Sequence, residues 1–330
     1  MKVTHEGKDI TKLITELTWS GDYKQAARTV DFGVAAHPHD TNLPTVDMQM
    51  GDMIKLFDSD DNELFQGYLF YREKSINGKE ISNLAYDGLV YLLKSRGTYN
   101  FKSMTPQAIT QKVCNDFGIP VGELAPGSPL NRLFDAEQIY NIIMTAYTIE
   151  SNKTGKVFMA RMNNGKLNVT EKGWKVARYI LDGETSISEA VYSESMEDSI
   201  NRVKIYDEEG QYVGEVTLDG IPGILQDIYK VEQGQDAQSR AKGLLKGIQR
   251  TAELEGLGDL GCIAGNAVVV QEPHTGLAGL FYIDADEHTW SEGQHTMRLS
   301  LNFQNLMDAQ EAGQLLENKD RAASSKSGYF

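Results

Sequence analysis

The sequence predicts a mainly β protein with an α+β insert, in which two β-barrel-like domains lie on either side of a small helical subdomain. Short apolar runs alternate with turn residues up to about residue 95, and the same pattern returns after about residue 186. Between these regions, two segments carry apolar residues at helical spacing. The chain of 330 residues holds 31 glycines and only 8 prolines, a composition that suits many tight β-turns.

Residues 1–95 form the first predicted barrel. Residues 52–58 and 63–71 are apolar runs on either side of a cluster of polar turn residues, which is typical of a β-hairpin. A second hairpin is expected at 76–79, because Asn77-Gly78 suits the two positive φ angles of a type I′ turn. Residues 86–93 are expected to end a strand and enter a short helix.

Residues 96–185 form the predicted insert, a helical subdomain with a β-hairpin. Thr105-Pro106 is typical of a helix start, with a capping threonine and a proline at the first helical position, and Gly118 is expected to end this helix. Residues 120–129 are expected to form a loop. Residues 136–150 are expected to form a second helix that packs against the first.

Two further hairpins are expected on either side of the start of the second barrel. Residues 156–162 and 166–170 are predicted to pair across Asn164-Gly165, which is a strong turn signal. Residues 200–207 alternate between apolar and polar side chains, turn at an acidic cluster, and return as 212–216.

Residues 186–310 form the second predicted barrel, which includes one long helix. The helix is expected at 235–255, because its apolar residues make one stripe at helical spacing. The strands expected after it are 266–271, 279–284 and 293–303. Residues 311–330 are expected to be a flexible tail that opens with helix-compatible sequence and closes on a linker-like, serine-rich stretch.

The charge is strongly acidic and uneven. The net charge is −15, which argues against binding to a nucleic-acid backbone because phosphate binding needs basic patches. Residues 182–239 hold 14 acidic and 3 basic residues, a net charge of −11, so this segment carries most of the imbalance. One interpretation is a solvated surface that favours solubility, and the other is an acidic wall that repels a passing polyanion.

The residue types that carry chemistry are sparse. Cys114 and Cys262 stand alone, which predicts two buried thiols in a reducing compartment and no zinc or disulfide framework. His37-Pro38-His39 is the only histidine cluster and is expected in a polar loop. His288 and His295 flank a predicted hairpin turn and are expected to be cross-strand or surface residues. Neither a catalytic set, a cofactor site nor a metal site is expected.

Known site motifs are also missing from the sequence. The glycine-rich run 256–261 follows a predicted helix and has no Lys-Ser/Thr pair, so it is interpreted as a helix stop and not as a phosphate loop. Neither a signal peptide nor a membrane-spanning segment is recognised. The protein is therefore expected to be made in a cytoplasm and not to insert into membranes.

Several short phrases, in order along the chain, resemble one family. They are 17–32 with its Ser20-Gly21 and Ala27-Arg28-Thr29, Gly51-Asp52, Leu64-Phe65-Gln66-Gly67, Tyr86-Asp87, Tyr282-Ile283, and 290–297. Together with the β/helix/β layout, they resemble the baseplate hub proteins of contractile phage tails and of phage-derived bacteriocin particles. The closest group is the XkdQ/YqbQ-like proteins of defective prophages, related to the late-control D family.

This resemblance implies a structural role without enzymatic activity. In such hubs each chain supplies two tube-like β-barrels, so a homotrimer forms a pseudo-hexameric ring between the six-fold tail tube and the three-fold spike. The implied partners are further copies of the chain, the central spike protein, the tail tube or tube initiator, and other baseplate proteins. The implied location is the tail baseplate of a virion or tail-like particle, assembled in the bacterial host cytoplasm.

Two expectations about function follow from this resemblance. Some acids of the 182–239 segment are expected to line the lumen of the ring, with Glu208, Glu209, Glu215 and Asp219 as candidates. The alternative function is a tail-associated cell-wall hydrolase, since some hub complexes carry lytic domains. That alternative requires an added catalytic domain, for which the two barrels and the insert leave no room.

Overall fold

The computed structural model describes residues 1–24, 27–36, 46–75, 79–231 and 236–315. The first β unit holds β1 (Lys2–His5), β2 (Lys8–Asp9), β3 (Ile14–Asp22), β4 (Thr29–Ala35), β5 (Met53–Phe57), β6 (Glu63–Lys74) and β7 (Glu80–Asp87). A 3₁₀ turn, Thr11–Leu13, precedes β3. These seven strands already agree with the mainly β fold predicted from the sequence, which is confirmed.

The first predicted hairpin is confirmed. Strands β5 and β6 pair antiparallel. Asp58 Oδ1 accepts hydrogen bonds of 2.8 Å from the backbone N–H groups of Asp60 and Asn62, which fixes the turn between the strands. β6 and β7 also pair antiparallel, as expected, although the predicted turn residues 76–78 lie outside the described residues.

The insert follows as α1 (Leu89–Lys94), β8 (Arg96–Met104), α2 (Pro106–Asp116), β9 (Val121–Leu124), β10 (Leu130–Gln138), α3 (Ile139–Thr154), β11 (Phe158–Asn163) and β12 (Lys166–Glu171). The predicted cap is confirmed, because Thr105 Oγ1 accepts from the Ala108 N–H at 3.3 Å. The β11–β12 hairpin also forms across Asn164 and Gly165, which have positive φ angles.

Two expectations for the insert are wrong in part. The second helix begins at Ile139 and not at residue 136, because 130–138 is strand β10, paired antiparallel with β8. The predicted loop 120–129 contains β9, which pairs in parallel with β12. In both places long-range strand pairing decides the structure, and local sequence carries little sign of it.

The second β unit contains β13 (Val176–Asp182), β14 (Ile187–Ser195), β15 (Arg202–Tyr206), β16 (Tyr212–Thr217), β17 (Gln226–Lys230), α4 (Ala237–Leu244), β18 (Gln249–Leu257), β19 (Ala267–Glu272), β20 (Leu277–Ser291) and β21 (Gln294–Asn302). Strands β19, β20 and β21 confirm three sequence predictions. The turn between β20 and β21 uses Glu292 and Gly293, both with positive φ.

The long helix predicted at 235–255 is wrong. Helix α4 ends at Leu244, and Gln249–Leu257 is strand β18. Ala252 and Leu254 are buried at alternate positions of that strand, so they fit a two-residue period as well as the helical stripe. Pairing of β18 with both β14 and β21 selects the strand.

One continuous sheet joins the two β units. Its strand order is β14-β18-β21-β20-β3-β4-β7-β6-β5-β1-β2, and β19 and β13 branch from β20 to complete a 13-stranded sheet. From β14 to β6 the sheet has eight strands, and every neighbouring pair among them is antiparallel. Each β unit supplies four of the eight.

The 200–217 hairpin forms as expected but does not belong to this sheet. Strands β15, β16 and β17 make a separate three-stranded sheet, which packs with α4 around its own small core. We call these four elements the satellite subdomain. It is inserted between β14 and β18, which pair with each other in the continuous sheet.

The start of the predicted flexible tail is anchored to the insert. The backbone of Gln314 exchanges hydrogen bonds with Leu133 in β10, and the carbonyl of Ala312 accepts from Arg132. Residues 311–315 therefore do not form the expected free tail or helix. Residues 316–330 lie outside the described residues.

Candidate functional site

The two β units meet at a seam, which we define as the antiparallel pairing of β3 with β20. It runs from Asp22 opposite Ala285 to Glu16 opposite Ser291. The paired strands are more than 260 positions apart in the chain. The seam is therefore the contact that converts two four-stranded halves into one eight-stranded sheet.

A buried ion pair crosses the seam. The guanidinium of Arg28 donates to both carboxylate oxygens of Asp286, at 2.8 and 2.5 Å, in a two-pronged geometry. The side chain of Asp286 is fully buried, and one of its oxygens also accepts from the Ala264 N–H at 2.6 Å. The pair thus ties the first unit to both β20 and the segment before β19.

Local sequence makes room for this pair. The Trp19 ring lies under the guanidinium, with Cζ of Arg28 4.0 Å from the ring centroid. A Cβ atom at Gly21 would collide with the same guanidinium, so a larger residue there would displace Arg28 from its pairing with Asp286. The phrase Trp19-Ser20-Gly21 followed by Arg28 is therefore a packing motif for the seam.

Asp87 connects the seam to the insert. Its carboxyl group accepts from the backbone N–H of Arg28 at 3.1 Å and from that of Leu89, in α1, at 3.0 Å. Complete burial raises the pKa of Asp87 to about 7, although both hydrogen bonds favour the ionised form. The Tyr86-Asp87 phrase therefore marks the place where the first sheet, the seam and the first helix meet.

The predicted cross-strand pair of histidines lies at the middle of the seam, where His288 is opposite Trp19. His288 Nδ1 and His295 Nε2 are 3.1 Å apart, and the ring of His295 stacks on Trp290 at 4.2 Å between centroids. His288 Nε2 is 3.1 Å from the Cys262 carbonyl, so this nitrogen carries the proton. The cross-strand expectation is confirmed, but His288 is fully buried and is not a surface residue.

Burial controls the protonation of these groups. It lowers the pKa of His288 and lowers the pKa of His295 to about 4. It also raises the pKa of both Cys114 and Cys262 to about 12, so neither thiol ionises readily. Both cysteines are free and buried, as the sequence predicts.

A second buried charge lies beside the seam. Lys172, which follows β12, donates to Asp284 Oδ1 at 2.6 Å and to the Leu306 carbonyl at 2.8 Å. Its ammonium also lies 4.0 Å from the ring centroid of Tyr23. Lys172 therefore holds the end of the insert against β20 and the segment after β21.

The outward side of the eight-stranded sheet is polar. One register row crosses all eight strands through Glu189, Glu255, Arg298, Glu287, Ser20, Thr29, Tyr86 and Tyr68. Alternate residues of a strand share a face, so residues two positions along each strand lie on the same side of the sheet. Among them are Glu253, Asp22 and Asp31. We call this surface the polar face.

The polar face carries mostly negative charge. Its basic residue Arg298 is already paired with Glu255 through Nε at 2.6 Å. Burial, together with the nearby carboxylates of Glu16 and Glu80, raises the pKa of Asp31. The opposite side of the sheet carries the apolar cores of the two units, with Leu17, Phe32 and Leu299 among the fully buried residues.

The eight strands end in two edges. Within the described parts of the chain, β14 pairs only with β18, and residues 70–74 of β6 pair only with β7. Because eight strands alternate in direction, β14 and β6 run in opposite directions. Each edge therefore presents backbone groups that an antiparallel strand of another chain can use.

The four acids predicted to line a lumen lie elsewhere. Glu208 and Glu209 are in the β15–β16 turn, Glu215 is on β16, and Asp219 follows β16. All four are exposed, and all belong to the satellite subdomain. The structure brings them together on one small sheet but not on the polar face.

The described residues offer little for other kinds of site. Among them, no three His, Cys, Asp or Glu side chains are grouped so that they could hold a metal ion. His37-Pro38-His39 lies outside the described residues. No helix within the described ranges is long and apolar enough to cross a membrane.

Comparison with known families now identifies the relationship. The model of the YqbQ-like family matches residues 17–302, which include the seam, the insert and the polar face. The chain belongs to the YqbQ-like family. The resemblance predicted from the short phrases is thereby confirmed, and those phrases contain Trp19, Arg28, Asp87 and Trp290 of the seam.

Two curated relatives agree with this family. The uncharacterized protein YqbQ of Bacillus subtilis (strain 168) is 25% identical over 311 residues, covering 88% of this chain and 92% of the relative. The phage-like element PBSX protein XkdQ of the same strain is 24% identical over 315 residues, covering 90% and 94%. Both alignments span nearly the whole of each protein.

Solved structures share the fold at low sequence identity. The 43 kDa tail protein of prophage MuSo2 from Shewanella oneidensis has a TM-score of 0.73 at 15% identity, covering 91% of this chain and 96% of that one. The c3393 protein of E. coli has a TM-score of 0.55 at 8% identity, covering 96% and 80%. It is described as a type VI secretion component with similarity to the T4 bacteriophage tail proteins gp27 and gp5. The mainly β fold is therefore one that phage tail proteins use.

Proposed function

We propose that this YqbQ-like chain is a structural hub of a phage tail baseplate, in a phage or a phage-tail-like bacteriocin, and that three copies form a ring. One observation carries the proposal: two four-stranded halves are joined by the seam into one antiparallel sheet of eight strands. A chain with two such halves can supply two sixths of a pseudo-six-fold ring. Three copies then match a six-fold tube on one side and a three-fold spike on the other.

The strand directions permit closure of such a ring. β14 and β6 are antiparallel to each other, so β14 of one copy can lie beside β6 of the next without breaking the alternation. The contact between copies would then resemble the seam within a copy. This arrangement also covers the edge of β14 and residues 70–74 of β6, which otherwise remain open to nonspecific pairing.

The comparisons support a role in a tail. XkdQ is a protein of a phage-like element, the MuSo2 relative is a tail protein, and the E. coli relative is similar to T4 tail proteins. The proposed partners are copies of this chain, the central spike protein, the tail tube or its initiator, and other baseplate proteins. In the described residues no observation favours the alternative, a cell-wall hydrolase.

The polar face is the proposed lining of the lumen. It is continuous across both halves and carries Glu253, Glu255, Glu287 and Asp22 with a single paired arginine. A negative lining would let DNA or another polyanion slide past without binding. The assignment of Glu208, Glu209, Glu215 and Asp219 to the lumen stays a prediction, since they lie on the satellite sheet.

Mass measurement and electron microscopy test the ring. The chain is measured alone and with the spike protein of the same particle, because the spike can be needed to assemble three copies. The expected result is a complex with three copies of the chain and a ring with an open lumen in negative-stain images. A chain that remains monomeric under both conditions contradicts the proposal.

Charge reversal tests the lining separately. The double variant Glu253→Lys and Glu287→Lys is expected to assemble normally and to retain single-stranded DNA on the ring at low salt, unlike the unmodified protein. A second variant, Glu208→Lys with Glu209→Lys, makes the same charge change on the satellite subdomain and tests the lumen prediction for those two acids. If the polar-face variant retains no more DNA than the unmodified protein, the polar face does not line the lumen.

A further inference from the structure

A cavity in the insert lies apart from the seam and the polar face. Its volume is about 630 Å³, which is within the range of ligand-binding pockets. It is bounded by the end of α3, the start of β11, the end of β12, residues 125–127 and Trp174. Phe158, Ala125 and Pro126 give it apolar walls, and the rest of its lining is mostly glutamate, threonine and lysine side chains.

The charges that line the cavity are mostly negative. Three glutamates, Glu123, Glu150 and Glu171, face one lysine, Lys156. Lys156 Nζ is already bonded to Glu171 Oε2 at 2.9 Å, so this pair is internally neutral. Glu123 interacts electrostatically with Arg161, which lies outside the cavity lining, so Glu150 is the carboxylate that most favours a cationic occupant.

Glu150 is the buried carboxylate of this cavity, whereas Glu123 and Glu171 are exposed. Glu150 is only 7% exposed, yet it lines the cavity. Its Oε2 accepts from the Ser128 N–H at 2.8 Å, while none of the described hydrogen bonds uses Oε1. A carboxylate oxygen that borders a cavity and is not used by a described hydrogen bond is a strong acceptor for a charged N–H donor.

Trp174 extends the cavity into a longer surface. The residue is 57% exposed, and Lys175 separates it from the start of β13. One ring face already holds a cation, because Lys175 Nζ lies 5.2 Å from the ring centroid. Beyond it, Ile180, Val269 and Leu280 form one row on the outward side of β13, β19 and β20, with Ile180 and Leu280 at least half exposed.

The edge of β13 supplies backbone groups for the same surface. In the described parts of the chain β13 pairs only with β19, so its other edge is open. An extended segment can add to such an edge through main-chain hydrogen bonds, and its side chains can enter neighbouring pockets. A free polyamine or a sugar would use the cavity but neither the edge nor the apolar row.

We propose that the Glu150 cavity and the β13 edge together bind an extended segment of a partner protein. The segment presents a lysine or arginine to Glu150 past Trp174, and β-branched or other apolar residues to β13. The net charge of −15 further favours a basic partner. This inference goes beyond the hub role and does not depend on it.

A short probe peptide tests the proposal on the full chain. The probe is acetyl-valyl-arginyl-valine amide, and the neutral comparison replaces arginine with its isostere citrulline. Trp174 is the exposed one among the three tryptophans, so its fluorescence reports binding, and Trp174→Phe shows whether the signal comes from it. The expected result is saturable binding of the arginine probe that weakens at high salt.

The decisive variant is Glu150→Gln, which keeps an oxygen for the Ser128 N–H but removes the charge. Binding of the arginine probe is expected to weaken about tenfold or more. The control Glu209→Gln makes the same charge change on the satellite subdomain and is expected to bind as the unmodified protein does. Thermal unfolding of both variants verifies that the fold is intact.

Four outcomes overturn the proposal. They are no saturable signal with the arginine probe, equal binding of the citrulline peptide, equal loss of binding in both variants, and tighter binding of spermidine or chitotriose than of the peptide. The last outcome assigns the cavity to a small cation or a saccharide. A fifth result, probe binding only to monomers with displacement as the chain self-associates, also overturns the proposal, because it assigns the surface to a contact between copies.

Discussion

The seam (β3–β20) and the β14 edge lie on the two sides of the same four-stranded half, β14-β18-β21-β20. They differ in the side chains that pack against them. The seam is backed by the buried Arg28–Asp286 pair and by stacked aromatic rings. At the β14 edge, by contrast, every residue of the strand is exposed or half-exposed, and Val191 is 47% exposed. The seam, which is permanent within the folded chain, and the β14 edge, which is proposed to join another copy on assembly, are thus built from different residues.

The difference has a physical reason. A buried ion pair costs much desolvation energy and is favourable only when both charges are fixed and hydrogen-bonded, as they are between segments of one folded chain. An edge that meets its partner only on assembly must remain soluble before then. Exposed acids such as Glu189 and Glu194 on β14 serve this need, because charges on an edge strand discourage nonspecific pairing.

The largest effect is expected when the seam loses its charge pair. Asp286→Ala leaves the Arg28 guanidinium buried without a counter-charge and the Ala264 N–H without its acceptor. The free energy of unfolding is expected to fall by about 3–5 kcal/mol. Urea unfolding followed by tryptophan fluorescence measures the change, since Trp19 and Trp290 both lie at the seam.

Two further variants make this prediction sharper. Asp286→Asn keeps one acceptor oxygen and is expected to lose less stability than Asp286→Ala. Glu194→Gln breaks the exposed Arg250–Glu194 pair, 3.0 Å long, and is expected to change stability little. If Asp286→Ala loses no more stability than Glu194→Gln, the buried pair is not what distinguishes the seam.

A smaller effect on stability and a large effect on assembly are expected at the β14 edge. Ala190→Pro and Val191→Pro remove the N–H groups of adjacent residues, which point to opposite sides of the strand. The variant whose N–H faces β18 is expected to lose about 1–3 kcal/mol of unfolding free energy. The other is expected to unfold nearly as the unmodified chain does, yet to lose ring assembly.

Sedimentation of each proline variant with the spike protein gives the assembly readout, and urea unfolding gives the stability. A stable proline variant that still assembles shows that β14 does not contact another copy. If both variants lose stability equally, both sides of β14 are paired in the folded chain, and the edge is not open.

The sequence predicts the local part of this architecture and misses the long-range part. Asn164-Gly165, Thr105-Pro106 and the 58–62 turn determine their structure through neighbouring residues, so the expectations there are confirmed. β9, β10 and β18 form by pairing with distant strands. The local sequence instead predicts a loop at β9, a helix from residue 136 within β10, and a helix at β18. The satellite subdomain shows the same limit, because a hairpin does not reveal which sheet it joins.

The seam was partly visible in the sequence. Arg28 belongs to a phrase that carries the family resemblance, and Asp286 and His288 occupy alternate, inward positions of a strand that otherwise buries apolar residues. Two polar residues at inward positions signal a buried partner. Their partner could not be identified from the sequence alone, because Arg28 lies 258 positions away along the chain.

The smallest expected effect concerns pH and is specific to the seam. The pKa of His295, about 4, and that of His288 both lie below the ordinary value of 6.5, because burial disfavours the charged rings. As the pH falls from about 6.5 to about 4, the histidines of the unfolded chain take up protons before those of the folded chain, so the histidine pair contributes a loss of stability over this range. Asp87, whose pKa is raised to about 7, contributes a gain over the same range, which His295→Phe leaves in place. The β14 edge, whose described residues include no histidine, should not share this decline.

His295→Phe isolates the contribution of one ring. The substitution keeps an aromatic ring against Trp290 but removes both the titrating group and the hydrogen bond to His288. At neutral pH the variant is expected to lose about 1 kcal/mol, because His288 Nδ1 is left without its donor. Between pH 6.5 and 4 its melting temperature is expected to fall less than that of the unmodified chain. Parallel melting curves of the two proteins across this range would mean that acid sensitivity arises outside the histidine pair, and that the seam is no more pH-dependent than the edge.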